Sequence, residues 1–283
     1  MKTIRTDDVS TQVLQQYLQA SIAPRPICFA STVDLAGNVN LSPFSFFNLF
    51  SMNPPVCVFS PSRRVRDNTT KHTLDNLKEV PECVINIVNY SMVQQVSLAS
   101  CEYPKNTNEF IKAGFTPIAS EWVRPPRVKE SPIQMECSVI EIIPLGDKAG
   151  AGNLVLAEIK RIHIDEDVLD DLQKIDPFKL DLVARLGEDW YTRVTPESLF
   201  KVEKPNTQLG IGMDQLPAYL AHCEQLTNNE KAQLANISQL PKNLGIKANS
   251  TLSEITIEAI KDALRENDSA LAWKIIEKSI SDE

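Results

Sequence analysis

Three histidines, His72, His163 and His222, are all the imidazole that 283 residues supply, and they are too scattered to build a metal site. The six cysteines (Cys28, Cys57, Cys83, Cys101, Cys137 and Cys223) include no Cys-x-x-Cys pair and have no histidine at ligand spacing. Most stand in apolar, strand-like runs, where a free thiol behaves as a small hydrophobe, so a reduced compartment is expected. Positive charge is short as well: 29 Lys and Arg against 37 Asp and Glu give a net charge of −8. Nucleic-acid binding and a basic membrane-surface role are thereby disfavoured, because phosphate neutralisation needs clustered cations. A small anionic ligand held by two or three local cations stays open. No apolar run approaches a membrane span, and the stretch Met1 to Asp8 lacks a signal-peptide core. Gly-x-Ser-x-Gly, His-Glu-x-x-His and Walker sequences are missing too. A cytoplasmic protein is the expectation.

What is present centres on residues 40–60. Two apolar, β-favouring runs, Phe44 to Phe50 and Val56 to Phe59, flank the turn signal Asn53-Pro54-Pro55 and read as neighbouring strands. The first run has Phe44, Phe46 and Phe50 on one parity and Phe47 and Leu49 on the other, with Ser42, Ser45, Asn48 and Ser51 among them. A strand buried on both faces gives this pattern. So does a strand lining a pocket for a flat aromatic ligand.

Upstream, Val13, Leu14, Tyr17 and Leu18 predict a short amphipathic helix after a Ser10-Thr11 cap. Ile27 to Val33 and residues 39–48 predict a hairpin turned by Asp34 to Asn38. A helix is expected from about Thr73, a strand over Cys83 to Val88, a helix over 91–100 and an irregular stretch over 101–127. Ile133 to Pro144 and Leu154 to Asp165 predict a long hairpin whose Gly146-x-x-x-Gly150-x-Gly152 is a loop, not a nucleotide cradle. A short helix is expected over Val168 to Ile175 and a last strand over Trp190 to Val194. From about Asn206 helical periodicity takes over, through Leu216, Leu220, Leu234, Ile255, Ile260, Leu264, Leu271 and Ile276. The expected architecture is a mainly β barrel-like body over residues 1–205 and a helical extension over 206–283.

The chemistry-bearing segment is Ser62 to Thr73, where Arg63, Arg64, Arg66 and Lys71 mix with hydroxyls just before a helix start. Phosphate binding needs that combination of charge, hydroxyl donors and free backbone N–H groups. A solvated basic loop with an ordinary threonine cap fits it as well. His163 lies in an apolar alternation where a hydrogen-bonded edge or core histidine is the commoner explanation.

Several segments occur together in a known order: Pro24 to Asn48, Asn53 to Pro55, Lys71 to Asn76, Glu109 to Gly114, Pro126 to Pro132, Ile162 to Asp165, and Ala184 to Gly187 with Trp190-Tyr191. On these the chain resembles the flavin reductase-like family with the FMN-binding split barrel, on its flavoredoxin-like branch. The resemblance implies that FMN lies against Asn40, Ser42, Phe44, Ser45, Phe46 and Asn48. The segment from Ser60 to Thr73 would hold its phosphate, with Lys71 and Thr73 foremost and Arg127 as a second cation. His163 corresponds to a family histidine near the flavin or nicotinamide. Tyr191 corresponds to an aromatic that a partner subunit often brings over the site. Two positions depart from the family pattern: Lys-Asp-Thr reads Lys71-His72-Thr73, and Gly-Gly reads Gly187-Glu188.

The resemblance implies an oxidoreductase passing reducing equivalents from NADH or NADPH to flavin or another acceptor, as a homodimer. An FMN-binding electron carrier without its own nicotinamide turnover is one alternative. A flavin-free interaction protein on the same barrel is another.

Overall fold

The computed structural model describes residues 1–202, 209–241, 244 and 252–281. The chain divides into two compact units, Met1–Leu199 and Phe200–Glu283. The boundary expected at residues 205 and 206 lies outside the described residues.

The first unit is built on a seven-stranded antiparallel sheet. Its strands, in chain order, are β1 (Cys28–Val33), β2 (Val39–Phe44), β3 (Phe47–Met52), β4 (Pro55–Phe59), β5 (Glu82–Ile87), β8 (Ile133–Pro144) and β9 (Asn153–Ile164). They lie in the order β2-β1-β5-β8-β9-β4-β3. Between them in sequence, β6 (Pro117–Ile118) and β7 (Arg127–Val128) form a two-residue hairpin, and after them β10 (Val183–Arg185) pairs with β11 (Tyr191–Arg193) as a separate ribbon. The sheet wraps onto itself: Phe44 at one edge and Phe59 five strands away in sheet order place their ring centroids 5.5 Å apart. Inside the closure sit Cys28, Ala30, Ile85, Met135, Cys137 and Ala157, all buried. Each large apolar side chain sealed there contributes roughly 1.5–3 kcal/mol.

Helix α1 (Thr11–Ser21) begins at Ser10, whose hydroxyl accepts the Val13 N–H, as its sequence predicts. Helices α2 (His72–Glu79) and α3 (Val93–Ala99) also stand where expected. The stretch over 101–127 is less irregular than expected. It contains α4 (Glu109–Ala113), started by the Asn108 side chain and stopped at Gly114, whose φ of 70° suits a residue without a Cβ. Five residues are too few to show a period. The helix expected over Val168 to Ile175 does not form. Asp170 accepts the N–H groups of Leu172 and Lys174 through its side chain, which holds those residues in a turn. A short α5 (Pro177–Leu180) follows, opened by Asp176 with Pro177 in its first turn.

One expectation about burial is overturned. The run after Phe44 is not buried on both faces in this chain: β3 is the edge strand, and Leu49, Phe50 and Met52 are exposed on it.

The second unit holds α6 (Ala218–Ala221), α7 (Asn228–Leu234), α8 (Glu254–Arg265) and α9 (Ser269–Ser281). Thr227 and Glu230 close a reciprocal capping box on α7, and Ser253 caps α8. Its core gathers Leu220, Leu234, Ile260, Leu264, Trp273 and Ile276. Ile255 and Leu271 are exposed, off the face that the periodicity assigned to them. No helix among the described residues is long and apolar enough to cross a membrane.

Candidate functional site

Strand β2 supplies the floor of the site. Asn40, Ser42 and Phe44 lie opposite Thr32, Ala30 and Cys28 of β1, so they share one face of the sheet. Asn40 is buried and fully engaged. Its Nδ2 donates to Glu109 Oε1 at 2.9 Å, and its Oδ1 accepts the Thr73 hydroxyl at 2.6 Å. The second Glu109 oxygen accepts the Leu41 N–H at 2.9 Å. Burial pushes the Glu109 carboxyl up, outweighing the hydrogen bonds that favour its ionised form. This relay ties β2 to α2 and α4.

At the start of α2 no side chain caps the first turn, and among the described residues the N–H groups of His72 and Thr73 have no acceptor. Lys71 stands beside them, half-buried, its ammonium in no hydrogen bond or ion pair among the described residues. Burial lowers its pKa, and the nearby Arg64 lowers it further. The arginines upstream are occupied. Arg63 holds the Asn68 side chain and carbonyl at 2.6 and 2.5 Å, and Arg66 holds Glu102 at 2.8 Å. Arg64 donates to Thr69 Oγ1 at 2.8 Å and to the Thr70 carbonyl at 2.5 Å. Its Nε is buried without a hydrogen-bond acceptor, although Glu102 lies 3.4 Å away.

Ser42, Lys71, Thr73, Ser100, Tyr103 and Glu109 line one cleft around this helix start. A second cavity of about 220 Å³ is lined by Ile27, Phe44, Ser45, Ser100, Arg185 and Tyr191. Ser100 lines both, so the helix-start cleft, of about 20 Å³, lies beside the larger cavity and the two together make a trough. A free cation and open N–H groups stand at one end. Two aromatic rings and a serine stand at the other. The Tyr191 ring is this chain's own, with the Arg185 guanidinium 4.6 Å from its centroid.

Of the residues singled out from sequence, Asn40, Ser42, Phe44, Ser45, Lys71, Thr73 and Tyr191 thus come together. Phe46 and Asn48 are exposed beyond the trough, and Asn48 Oδ1 accepts the next residue's N–H at 2.8 Å. Buried Ser60 accepts the Asn153 N–H at 3.1 Å and pins β4 to the β8–β9 hairpin. Arg127 and His163 belong to another cluster around Glu136, a fully buried carboxylate on β8. His163 Nε2 lies 2.7 Å from Glu136 Oε1 and Arg127 Nε 3.8 Å from it. Backbone N–H groups of Glu121, Trp122 and Val123 donate to the same carboxylate at 2.9, 2.6 and 3.2 Å. Arg127 also holds the Ala119 carbonyl and the Gln134 side chain. The pair therefore fastens the loop over 119–128 to the sheet and does not reach Lys71. Sequence reasoning missed Ser100 and Arg185. Arg185 lay inside a quoted motif, whereas nothing local marks Ser100 as the junction. Among the described residues no group of three or more His, Cys, Asp or Glu could hold a metal ion.

A family model for the flavin reductase like domain matches residues 20–177, more than half of the chain. The chain belongs to the flavin reductase-like family. A curated relative from Aquifex aeolicus, itself uncharacterized, is 34% identical over 64% of this chain and 90% of its own length. Nitrilotriacetate monooxygenase component B from Bacillus cereus is 30% identical, covers 71% of this chain and 98% of that one, and superposes with a TM-score of 0.67. A protein from Shewanella frigidimarina, described as a candidate flavin reductase with a split barrel domain, is 26% identical over 70% of this chain and 95% of its own, with a TM-score of 0.59. The flavin reductase-like chain is accordingly a split β-barrel followed by helices. Its cleft, on β2, α2 and α3, lies within the barrel unit.

Proposed function

We propose that this flavin reductase-like protein holds FMN non-covalently in the trough and passes reducing equivalents from NADH or NADPH to flavin or another acceptor. The observation that carries the reading is the adjacency of the two cavities, which share Ser100, with a free cation and open helix start at one (the phosphate-type end) and aromatic rings at the other (the ring-type end). The residues present fit the group. Among the described residues Lys71 is an unpaired cation, the first N–H groups of α2 are open, and Arg64 Nε is buried without a hydrogen-bond acceptor, 3.4 Å from Glu102. In this reading Lys71, the His72 and Thr73 N–H groups and Ser100 hold the phosphate. Phe44 and Tyr191 cover the ring while Ser42 and Ser45 meet its polar edge. Thr73 and Asn40 act through the Glu109 relay, which fixes β2 against the helix that binds phosphate.

Bound flavin supplies hydride acceptance and donation. The protein's part is to orient the ring, neutralise the phosphate and keep the apolar wall of Phe44, Ile27 and Tyr191 around the reacting face. His163, held by Glu136, is assigned no proton transfer. The test is an absorbance spectrum of purified protein after FMN loading and removal of the excess, followed by anaerobic NADH and then NADPH. A flavin spectrum that bleaches with either nucleotide is expected and names the donor. Bound flavin that ignores both would make the protein a carrier. Failure to retain flavin would sink the cofactor assignment.

The reading includes a homodimer joined over β3. An edge strand exposing Leu49, Phe50 and Met52 is an aggregation hazard unless something covers it, and a second copy is the cover proposed here. Phe50→Asp is expected to weaken the dimer by about 30-fold or more, read by sedimentation velocity across a concentration series. An unchanged sedimentation profile would remove β3 from the interface.

A further inference from the structure

Beyond Tyr191 the trough continues. A third cavity, of about 410 Å³, shares Ser97, Arg185 and Tyr191 with the ring-type end. One wall is helical: Tyr90, Val93, Gln94 and Ser97 recur at the three- and four-residue spacing that puts them on one face. The other wall is the β10–β11 ribbon, where Val183 faces Arg193 and Arg185 faces Tyr191 across the ladder. Two arginine–tyrosine stacks stand in it, Arg193 at 3.7 Å from the Tyr90 ring centroid and Arg185 at 4.6 Å from that of Tyr191.

The two guanidiniums differ in charge balance. Arg193 is neutralised by a two-point pair with Asp181 at 2.7 and 3.0 Å. Arg185 donates to the Glu188 carbonyl and has no carboxylate partner among the described residues. Arg25, its backbone partner across an isolated bridge, is a second cation without a carboxylate among the described residues, spending its guanidinium on the carbonyls of Gln19, Ile22 and Leu186. A single guanidinium without a carboxylate, stacked on one aromatic ring in a cavity that a second tyrosine lines, calls for one negative charge on a flat body. Asp189, exposed and lining the same cavity, works against a ligand with several charges such as a nicotinamide dinucleotide.

We propose that the cavity between α3 and the β10–β11 ribbon is a second ligand subsite for a planar aromatic monocarboxylate, its carboxylate on Arg185 and its ring against the helical wall of Tyr90, Val93 and Gln94. Its volume suits a small molecule. The assignment rests on the flavin reading only for its purpose, which is to hold a second compound beside the ring end of the cleft. The subsite itself is defined by residues of this chain and is measurable without flavin.

The experiment is calorimetric titration of the full chain with sodium benzoate, with and without FMN, while FMN affinity is measured separately by quenching of its fluorescence. One-site benzoate binding is expected, weakened about 10-fold or more in Arg185→Gln. Gln94→Phe, which fills the cavity from the helix side, is expected to abolish it and guards against a folding artefact of the arginine variant. No saturable binding to the wild type, or a wild-type Kd in Arg185→Gln or Gln94→Phe, overturns the proposal. Acetate binding as tightly as benzoate overturns it too, as does full displacement of benzoate by NADH or NADPH, which would give the cavity to the nicotinamide. If benzoate binds as expected and FMN does not, the subsite stands and the flavin reading falls.

Discussion

Glu136→Ala is expected to lower the free energy of unfolding by about 3–5 kcal/mol, the range for removing one member of a buried charged cluster. The carboxylate is fully buried and gathers three backbone N–H groups, His163 and, more distantly, Arg127. Removing it leaves those N–H donors without an acceptor and leaves the loop over 119–128 tied to β8 through Arg127 and Gln134. Urea denaturation of the two proteins measures the difference; a loss below about 1 kcal/mol would show that water or a neighbour replaces the carboxylate. The sign with pH follows from the shift. Burial pushes the Glu136 pKa up, but the N–H groups of Glu121, Trp122 and Val123 together with His163 pull it down further, so the net value is below that of an ordinary glutamate. A depressed carboxylate pKa gives stability that is present above the unfolded-state value and is lost as pH falls through the folded-state value. Glu136→Gln should therefore flatten the acid limb of stability, whereas a variant as acid-sensitive as the wild type would contradict this account.

Lys71→Met is expected to weaken FMN binding about 10- to 100-fold, the scale of one charge-assisted phosphate contact, with thermal stability nearly unchanged. The ammonium makes no hydrogen bond or ion pair among the described residues, so its loss orphans none of their groups. Because burial and Arg64 lower its pKa, Lys71 sheds its proton at lower pH than an exposed lysine. Affinity for FMN should be full while the lysine is charged and should decline as pH rises through that lowered value. The methionine variant should lack this alkaline decline. Fluorescence titration of FMN across pH reads both, and equal affinities for the two proteins would place the phosphate elsewhere.

Much of the barrel was legible because its strands alternate and its turns are chemically marked. Asp34 to Asn38 between β1 and β2, Asn53 to Pro55 between β3 and β4, and the glycines between β8 and β9 each announce a reversal. The cation beside an open helix start was legible for a similar reason, since Lys71 and Thr73 stand two positions apart at the opening of a helix. Other features depend on distance in space. Glu136 draws His163 and Arg127 into a structural cluster from 27 and 9 positions away, respectively, and no local pattern reports that partnership. Ser100 joins two cavities only because α3 packs beside β2. The burial of β3 was misread because a strand that is apolar on both faces looks the same whether its cover comes from its own chain or from elsewhere.

The thiols inside the barrel have a practical consequence. Cys28, Cys57, Cys83 and Cys137 are sealed in one core, while Cys101 is exposed and Cys223 half-buried. Burial, with neighbouring thiols, raises Cys28 well above its ordinary value and Cys57 to about 11, so neither presents a thiolate near neutrality. An alkylating reagent added to the native protein therefore meets Cys101 at once and the four core thiols only when strands part. The rate at which those four become modified, resolved by mass, is a clock for barrel opening that needs no introduced label.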